Sequence, residues 1–402
     1  MKYLSLFSGI GAFEKALDRL NINYELVGYS DIDKYASKSY SAIHKVPESM
    51  NFGDITKINE KELPKDIDLI TYGFPCQDIS NAGKMKGMKL ICKKCDFEIE
   101  IPEGYTEKIK QGKICCCKKC GAEMELTRSG LFFEALRIIE ETQPRIAIAE
   151  NVKALTSKKF SEQFKIVLDS LADAGYNNYW QILNAKDYGI PQKRERVFIV
   201  SIRKDIDEKG FHFPQAFPLQ LKLKNLLEPE ETIDEKYYLS ESRIVSLMEH
   251  KRRNAEKGNG FGARLITEND IASTLTTSPD KSAGQYLIVK EATKKGYAEA
   301  AAGDSINLEF PNSKTRRERV GRGVAQTLTT SPQQVTVTNA LDLRKLTPLE
   351  CFRLMGFDDE DFSRAAEVNS DNQLYKQAGN SIVVSVLEAI FKELLKANID
   401  FI

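Results

Sequence analysis

The feature that most restricts the fold is a repeated junction: a short apolar run, a turn rich in glycine or acidic residues, then a helical stretch. Tyr3–Phe7 reads as a strand ending in Ser8-Gly9-Ile10-Gly11, with a helix following through Leu20. Leu26–Tyr29 reads as a second strand, ending at Asp31 and Asp33; another helix and then Asn51-Phe52-Gly53-Asp54-Ile55 follow. Ile67–Tyr72 runs into Gly73-Phe74-Pro75-Cys76-Gln77. Leu131–Glu141 is a helix, Arg145–Ala149 a strand ending in Glu150-Asn151, and Phe160–Ala174 a further helix. Gln181–Asn184 and Arg196–Ile202 suit a closing antiparallel pair. This alternation predicts an α/β fold with a mixed, mostly parallel sheet and helices on both faces. Ligands in such sheets bind at the carboxyl ends of the strands, and the chemically suggestive residues all fall there.

The chain has 402 residues, enough for one large domain and a smaller one. Apolar residues make up 42 % and charged residues 29 %, which excludes a disordered or collagen-like chain. Formal net charge is zero, so any nucleic-acid contact must come from a local basic field. No apolar run approaches the roughly 18–20 residues needed to span a bilayer. The apolar start breaks at Ser8-Gly9 and meets Glu14, Lys15, Asp18 and Arg19, so it reads as a strand and helix rather than a signal peptide. A cytoplasmic location is the expectation.

From about Lys204 to residue 340 the periodicity weakens and an echo appears. Ala272-Ser273-Thr274-Leu275-Thr276-Thr277-Ser278-Pro279 recurs as Ala325-Gln326-Thr327-Leu328-Thr329-Thr330-Ser331-Pro332. Two copies are too few for a solenoid; they read as paired strand–turn elements or as a shared DNA-contact element. After Leu343 helical patterning returns, through Pro348–Met355 and Ser381–Ala397.

Ser8-Gly9-Ile10-Gly11 between strand and helix is a tight turn that lets a nucleoside approach the backbone. At the next two strand ends, Asp31 is placed to accept from ribose hydroxyls and Asp54 from an adenine amino group. Either aspartate standing alone would read as a helix cap or a solvated loop carboxylate. Cys76 follows a strand directly, in a proline-containing turn, which argues against a buried small hydrophobe and for a nucleophile in an activating environment.

Gly73-Phe74-Pro75-Cys76-Gln77 resembles the catalytic motif of the cytosine-C5 DNA methyltransferase family, and further motifs follow in that family's order. Phe7-Ser8-Gly9-Ile10-Gly11 resembles its cofactor loop, and Leu131-Phe132-Phe133-Glu134 a helix that covers the cofactor. Glu150-Asn151-Val152 and Gln192-Lys193-Arg194-Glu195-Arg196 match two more, and Arg344-Lys345-Leu346-Thr347-Pro348 and Gln377-Ala378-Gly379-Asn380-Ser381 resemble the last two. The resemblance covers roughly 1–90, 127–203 and 342–395.

It implies a Rossmann-like, S-adenosylmethionine-dependent catalytic domain over 1–203, a target-recognition domain over 204–340, and a segment 341–402 that returns to the catalytic domain. It implies a cofactor site of Phe7, Ser8, Gly9, Ile10, Gly11, Asp31, Ile32, Asp54, Ile55, Pro75, Leu131, Asn380 and Ser381. Ile32 replaces a tryptophan that often stacks on the adenine, Ser5 stands where many relatives have aspartate, and Ala12 where many have glycine. The catalytic set would be Cys76, Glu150, Arg194 and Arg196. Cys76 adds to C6 of cytosine, Glu150 serves N3, and Arg196 serves the O2 side, which makes C5 nucleophilic toward a methyl sulfonium. The target base must leave the helix stack, at a cost of a few kcal/mol. The base that removes the C5 proton has no candidate among His44, His212 and His250.

Six of the eight cysteines lie between Cys92 and Cys120; Cys76 and Cys351 stand apart. Residues 89–126 enlarge the loop that, by resemblance, follows the catalytic cysteine and closes over DNA. Cys92-Lys93-Lys94-Cys95 and Cys117-Lys118-Lys119-Cys120 have zinc-ribbon spacing, which predicts a structural zinc on Cys92, Cys95, Cys117 and Cys120. Cys115 and Cys116 leave the partner of Cys120 ambiguous, and the Cys-x-x-Cys frame favours Cys117. The flanking lysines read either as solvated or as phosphate contacts.

Expected DNA contacts are Gln77, Ser80, Lys84 and Lys86 in the loop, and Arg316 and Arg317 in the basic run 312–319, with Lys251-Arg252-Arg253 a second basic run. Double-stranded DNA is the expected partner, the enzyme is expected to be a monomer, and a restriction endonuclease is a possible companion in the same system. RNA methylation and a catalytically silent DNA binder are the competing readings. The full 204–340 region argues against the first, and intact Cys76, Glu150, Arg194 and Arg196 against the second.

Overall fold

In the computed structural model the described residues are 1–75, 89–92, 94–100, 116–221, 225–237, 263–264, 287–290, 297–300, 303–307, 319–328, 334–337 and 343–397. Strand β1 (Lys2–Leu6) turns into helix α1 (Ala12–Arg19), β2 (Glu25–Ser30) into α2 (Lys34–His44), and β3 (Leu69–Tyr72) into the Gly73-Phe74-Pro75 stretch. Three short strands come next, β4 (Lys89–Cys92), β5 (Glu98–Glu100) and β6 (Met124–Leu126), and then α3 (Phe132–Thr142). The pattern continues with β7 (Ile146–Val152), α4 (Ser161–Asp173), β8 (Tyr176–Asn184), β9 (Gln192–Lys193) and β10 (Glu195–Arg203).

Six of these strands form one sheet in the order β2-β1-β3-β7-β10-β8. β1 lies parallel between β2 and β3, β3 is parallel to β7, and β10 runs antiparallel to β7. The expected mixed, mostly parallel sheet is therefore present, with Gln181–Asn184 part of a longer edge strand. All four residues of β3 are buried, as a strand covered on both faces requires. The core gathers Leu4, Leu6, Ile70 and Tyr72 from the strands with Phe132, Ile138 and Ile139 from α3. Each such side chain taken fully from water contributes about 1.5–3 kcal/mol.

The described residues fall into two compact units. One comprises 1–183, 195–215 and 386–402, the other 184–194 and 216–385. The boundary passes through the Gln192–Arg196 motif, so that Arg194 belongs to the second unit and Arg196 to the first. In the second unit, β9 pairs in parallel with Ala325–Gln326, the start of the second echo copy. Strands Ser305–Asn307, Val320–Gly321, Gln334–Val337 and Leu343–Lys345 make a small antiparallel sheet there. The first echo copy lies outside the described residues.

Helices α5 (Pro348–Met355), α6 (Asp359–Val368) and α7 (Asp371–Asn380) follow, then α8 (Val384–Lys396). Thr347 begins α5 with a reciprocal capping box to Glu350 and proline in the first turn, a start the Leu346-Thr347-Pro348 sequence encodes directly. The sequence reading named α5 and α8 but neither α6 nor α7. No helix among the described residues is long and apolar enough to cross a membrane.

Candidate active site and metal centre

Phe7–Gly11 follow β1, Asp31 and Ile32 follow β2, Pro75 follows β3 and Glu150 lies near the end of β7, whereas Asp54 and Ile55, expected at a strand end, lie in the loop between α2 and β3. After β1, Gly9 and Gly11 take the left-handed conformation (φ 57° and 79°), and Gly11 starts α1. A Cβ on Gly11 would lie 2.0 Å from His44 Nε2. His44 in turn bonds the Ile10 carbonyl through Nε2 at 3.1 Å. This histidine, which belongs to no motif, is thus a packing partner of the turn. Phe7 also has positive φ (52°) and packs against the main core.

Asp31 faces the same turn. Its Oδ2 accepts from Gly9 N–H at 2.8 Å and its Oδ1 from Asp33 N–H at 2.8 Å. Asn51 joins it to the next loop. The Asn51 Oδ1 accepts from Asp31 N–H at 3.0 Å and Gly53 N–H at 2.8 Å, while Nδ2 donates to Asp31 O at 2.9 Å. The sequence reading missed Asn51; an asparagine in a loop carries no signal that its amide bridges two strand ends. Asp54 caps the following turn, its Oδ1 accepting from Thr56 N–H at 3.0 Å and Thr56 Oγ1–H at 2.8 Å.

Ile55 is buried and Ile32 is 79 % exposed, so Ile32 is free to meet a ligand while Ile55 also belongs to the core. Ideal Cβ atoms on Gly9 and Gly53 meet nothing within 4 Å, so both loops border open space. Two glycine loops with acidic neighbours, each open on one side, fit a nucleoside carrying hydroxyl and amino donors. Leu131, just before α3, is half-buried against the core.

Beyond β3, Phe74 is buried and its carbonyl accepts from Asn151 Nδ2 at 2.9 Å, which pins the chain before Pro75. The β7–β10 register sets Arg196 opposite Val152 and Phe198 opposite Glu150. Side chains two apart on a strand share a face, so Glu150 and Arg196 become diagonal neighbours. Arg196 Nε lies 3.0 Å from Glu150 Oε1, and both side chains are largely shielded from solvent. A Cβ on Gly73 would stand 3.7 Å from Glu150 Oε2, so the carboxylate sits beside the chain that leads to Cys76.

Arg194 is spent differently. Its guanidinium, 3 % exposed, donates to the carbonyls of Leu328 at 3.1 Å, Gly379 at 3.1 Å and Ser381 at 2.6 Å. Gln192 reinforces the same junction, donating to Leu354 O at 2.8 Å and accepting from Leu328 N–H at 3.2 Å. These donors hold main chain in place around the Gly379-Asn380-Ser381 segment, where Asn380 is exposed and Ser381 buried. Cys76, Gln77, Ser80, Lys84, Lys86, Arg316, Arg317, Cys115 and the 251–253 run lie outside the described residues.

The cysteines of the insertion come together. Sγ atoms of Cys92, Cys95, Cys117 and Cys120 all lie within 4.8 Å of one another. Cys92 and Cys120 sulfurs are 3.4 Å apart, and those of Cys95 and Cys117 3.6 Å. Tetrahedral thiolates at about 2.3 Å from a zinc ion stand at about these separations. The two halves share one turn geometry. Asp96 N–H donates to Cys92 O and Cys92 N–H to Phe97 O; Gly121 N–H donates to Cys117 O and Cys117 N–H to Ala122 O. Asp96 and Gly121 both take positive φ, 51° and 70°. Four soft sulfurs converging from two matching knuckles fit zinc.

Their protonation is uneven. The Phe97 amide favours a Cys95 thiolate, but partial burial and the Cys120, Cys117 and Cys92 thiols outweigh it and push Cys95 up to about 12. Burial opposes ionisation of Cys117, yet the Lys119 and Cys120 amides and the neighbouring thiols bring it down to about 7. Cys116 is exposed and apart from this group, in line with the choice of Cys117.

A Rossmann-like sheet edged by a glycine turn, two acidic loops and a carboxylate–guanidinium pair fits the S-adenosylmethionine-dependent methyltransferase class. Within that class the chain belongs to the C-5 cytosine-specific DNA methylase family, whose model matches residues 1–99 and 118–396. It is 36 % identical, over 447 aligned positions, to the orphan methyltransferase M.SPBetaI of Bacillus phage SPbeta, covering 98 % of this chain and 97 % of that protein. It is 29 % identical to the type II methyltransferase M.HhaI of Haemophilus parahaemolyticus, covering 97 % and 93 % of the two chains. The crystal structure of S. pombe Dnmt2 methyltransferase shares the fold, with a TM-score of 0.55 at 20 % identity and 98 % of both chains covered. Most of the unmatched interior, residues 100–117, lies between the two knuckles.

Proposed function

We propose that this chain is a sequence-specific DNA (cytosine-5-)-methyltransferase in which Cys76 is the nucleophile, with Glu150 and Arg196 activating the ring. The observation that carries the reading is the Glu150–Arg196 pair at 3.0 Å, beside the Gly73-Phe74-Pro75 chain that delivers Cys76. Cytosine flipped into this corner meets the Glu150 carboxyl, which as the acid gives its proton toward N3, and a guanidinium for O2. Cys76 sulfur adds to C6 as a thiolate; electron density moves toward N3, where Glu150 shares a proton, and Arg196 bears on the charge at O2. S-adenosylmethionine supplies a methyl group on a sulfonium, which departs as a neutral thioether. Loss of the C5 proton to a base and cleavage of the C6–S bond then return Cys76 as a thiolate.

The cofactor lies on Phe7, Ser8, Gly9, Ile10 and Gly11, with Asp31 toward the ribose, Asp54 and Ile55 toward the adenine, and Ile32, Pro75 and Leu131 beside them. Arg194 acts by positioning the Gly379–Ser381 main chain, a role its three carbonyl bonds support. Residues 204–340 provide target recognition, with Arg316 and Arg317 on DNA; Gln77, Ser80, Lys84 and Lys86 hold the flipped-base region. Cys92, Cys95, Cys117 and Cys120 hold a structural zinc. The enzyme works as a cytoplasmic monomer, alone or beside a cognate endonuclease.

Duplex DNA carrying 5-fluorocytosine at every cytosine, in a random-sequence pool, tests the chemistry without knowledge of the target site. Fluorine at C5 cannot be removed as a proton is, so the C6–S bond persists after methyl transfer. The expected result is a denaturant-resistant complex that requires S-adenosylmethionine and maps to Cys76 by peptide mass spectrometry. No such complex, or one mapped to another residue, rejects the mechanism.

A further inference from the structure

Beside α3 lies a buried charge cluster that the methyl-transfer chemistry does not use. Arg137 is 3 % exposed, and the adjoining Glu134 and Glu60 are 4 % and 7 % exposed. Arg137 Nε donates to Glu134 Oε2 at 3.0 Å, and Nη1 pairs with Glu60 Oε2. The same guanidinium reaches two main-chain oxygens, Ile58 O from Nη1 at 3.0 Å and Ile55 O from Nη2 at 3.2 Å. Burial pushes the Glu134 carboxyl up, with Arg137 pulling it the other way. A planar five-donor fork can serve two carboxylates and two carbonyls together; a lysine ammonium cannot.

Those carbonyls belong to the segment that presents Asp54 and Ile55. Ile55–Lys57 is a single 3-10 turn capped by Asp54, and Glu60–Glu62 is another. Their main-chain bonds are local, Lys57 N–H donating to Asp54 O at 2.9 Å and Glu62 N–H to Asn59 O at 3.1 Å. The Ile55 and Ile58 side chains join the core, and the carbonyls of the same two residues are held by Arg137, from the buried Phe132–Ile139 part of the helix.

We propose that Arg137 is the positioning residue for the adenine end of the cofactor site, fixing the Ile55–Ile58 main chain from inside the core so that Asp54 meets the adenine amino group. The proposal rests on the assignment of Asp54 and Ile55 to the adenine. A purely structural ion cluster would support stability alone; a positioning residue also governs which base is accepted.

The test is equilibrium binding of S-adenosylhomocysteine and of its inosine counterpart, in which an oxo group replaces the adenine amino group. Thermal unfolding is followed in parallel. The wild-type protein is expected to prefer the adenine compound by about tenfold or more, because the oxo group turns an acceptor toward the Asp54 carboxylate. Arg137→Lys is expected to unfold cooperatively, to lose at least about two-thirds of that preference, and to raise KM for S-adenosylmethionine more than it lowers kcat.

A folded Arg137→Lys protein with the wild-type preference overturns the proposal. Asp54→Ala separates the two premises: it must also lose the preference, and if it does not, the adenine assignment itself is wrong and the proposal falls for that reason. Should Arg137→Lys not fold, Glu60→Gln removes one charge from the cluster and is expected to lower the preference in the same direction. An unchanged preference there overturns the proposal equally.

Discussion

The six-stranded sheet and the ribbon inserted beside it are folded by different forces. The sheet packs strands against α3 and α4 with many fully buried large side chains, among them Tyr72, Phe132, Tyr176 and Phe198. Among the described residues the ribbon's buried apolar cluster is Leu90, Cys92, Cys117 and Met124, and two of these four are thiols of the four-sulfur group. A core of that size cannot offset the entropy of ordering its strands. The sheet is therefore stable through area removed from water, whereas the ribbon's four converging thiols fit a metal that would supply what its small core lacks. On the proposed zinc assignment, one chain contains a part that tolerates metal loss and a part that does not.

The largest expected effect breaks the ribbon alone. Cys117→Ser, or metal removal by a chelator, forfeits much of the roughly 10–16 kcal/mol that structural zinc supplies to small zinc-bound folds. Hydrogen exchange should then become fast throughout 89–126, with β1, β3 and β7 still protected and S-adenosylmethionine affinity retained. Protected ribbon amides in metal-free protein would mean that the ribbon folds by itself.

Truncation in the other region should do the reverse. Phe132→Ala should cost about 3–5 kcal/mol, read as a lower Tm for the sheet, with zinc content by elemental analysis unchanged at one per chain. Gly11→Ala comes next, because its Cβ would meet His44 at 2.0 Å and its φ is 79°. Strain of about 1–3 kcal/mol should appear as lower stability and weaker cofactor binding in calorimetry. The smallest effect sharpens the junction between the regions. Thr127 Oγ1 accepts from Lys89 N–H at 2.9 Å and Thr127 N–H donates to Lys89 O at 2.8 Å, clasping the ribbon's ends. Thr127→Val keeps the shape and loses one bond, so about 1 kcal/mol should be lost, visible as faster exchange at Lys89 before any change in Tm.

The same contrast explains what was legible in the sequence. Strand–turn–helix junctions and the Cys-x-x-Cys pairs are local patterns, so the mixed, mostly parallel sheet and the four-sulfur cluster both followed from spacing. Bridging side chains are not local. Asn51 joins loops whose only shared feature is their place in space, and His44 meets Gly11 across a helix and a strand. Arg194, placed by resemblance in the catalytic set, donates to carbonyls at 328, 379 and 381, positions no spacing rule connects.

Arg137 did leave a trace. Glu134 and Arg137, three apart within the otherwise apolar Phe132–Ile139 run, mark a charged pair on a buried stretch of helix. Helices α6 and α7 went unnamed because their apolar positions are sparse, and both are acidic at their starts.

The most direct test of the central claim is bisulfite sequencing of an unmethylated plasmid after incubation with the zinc-loaded protein and S-adenosylmethionine, with Cys76→Ser in parallel. The account predicts protected cytosines confined to one or a few short motifs with the wild-type protein, and none with Cys76→Ser. Protection that survives Cys76→Ser, or no protection from wild-type protein that binds its cofactor, would contradict it.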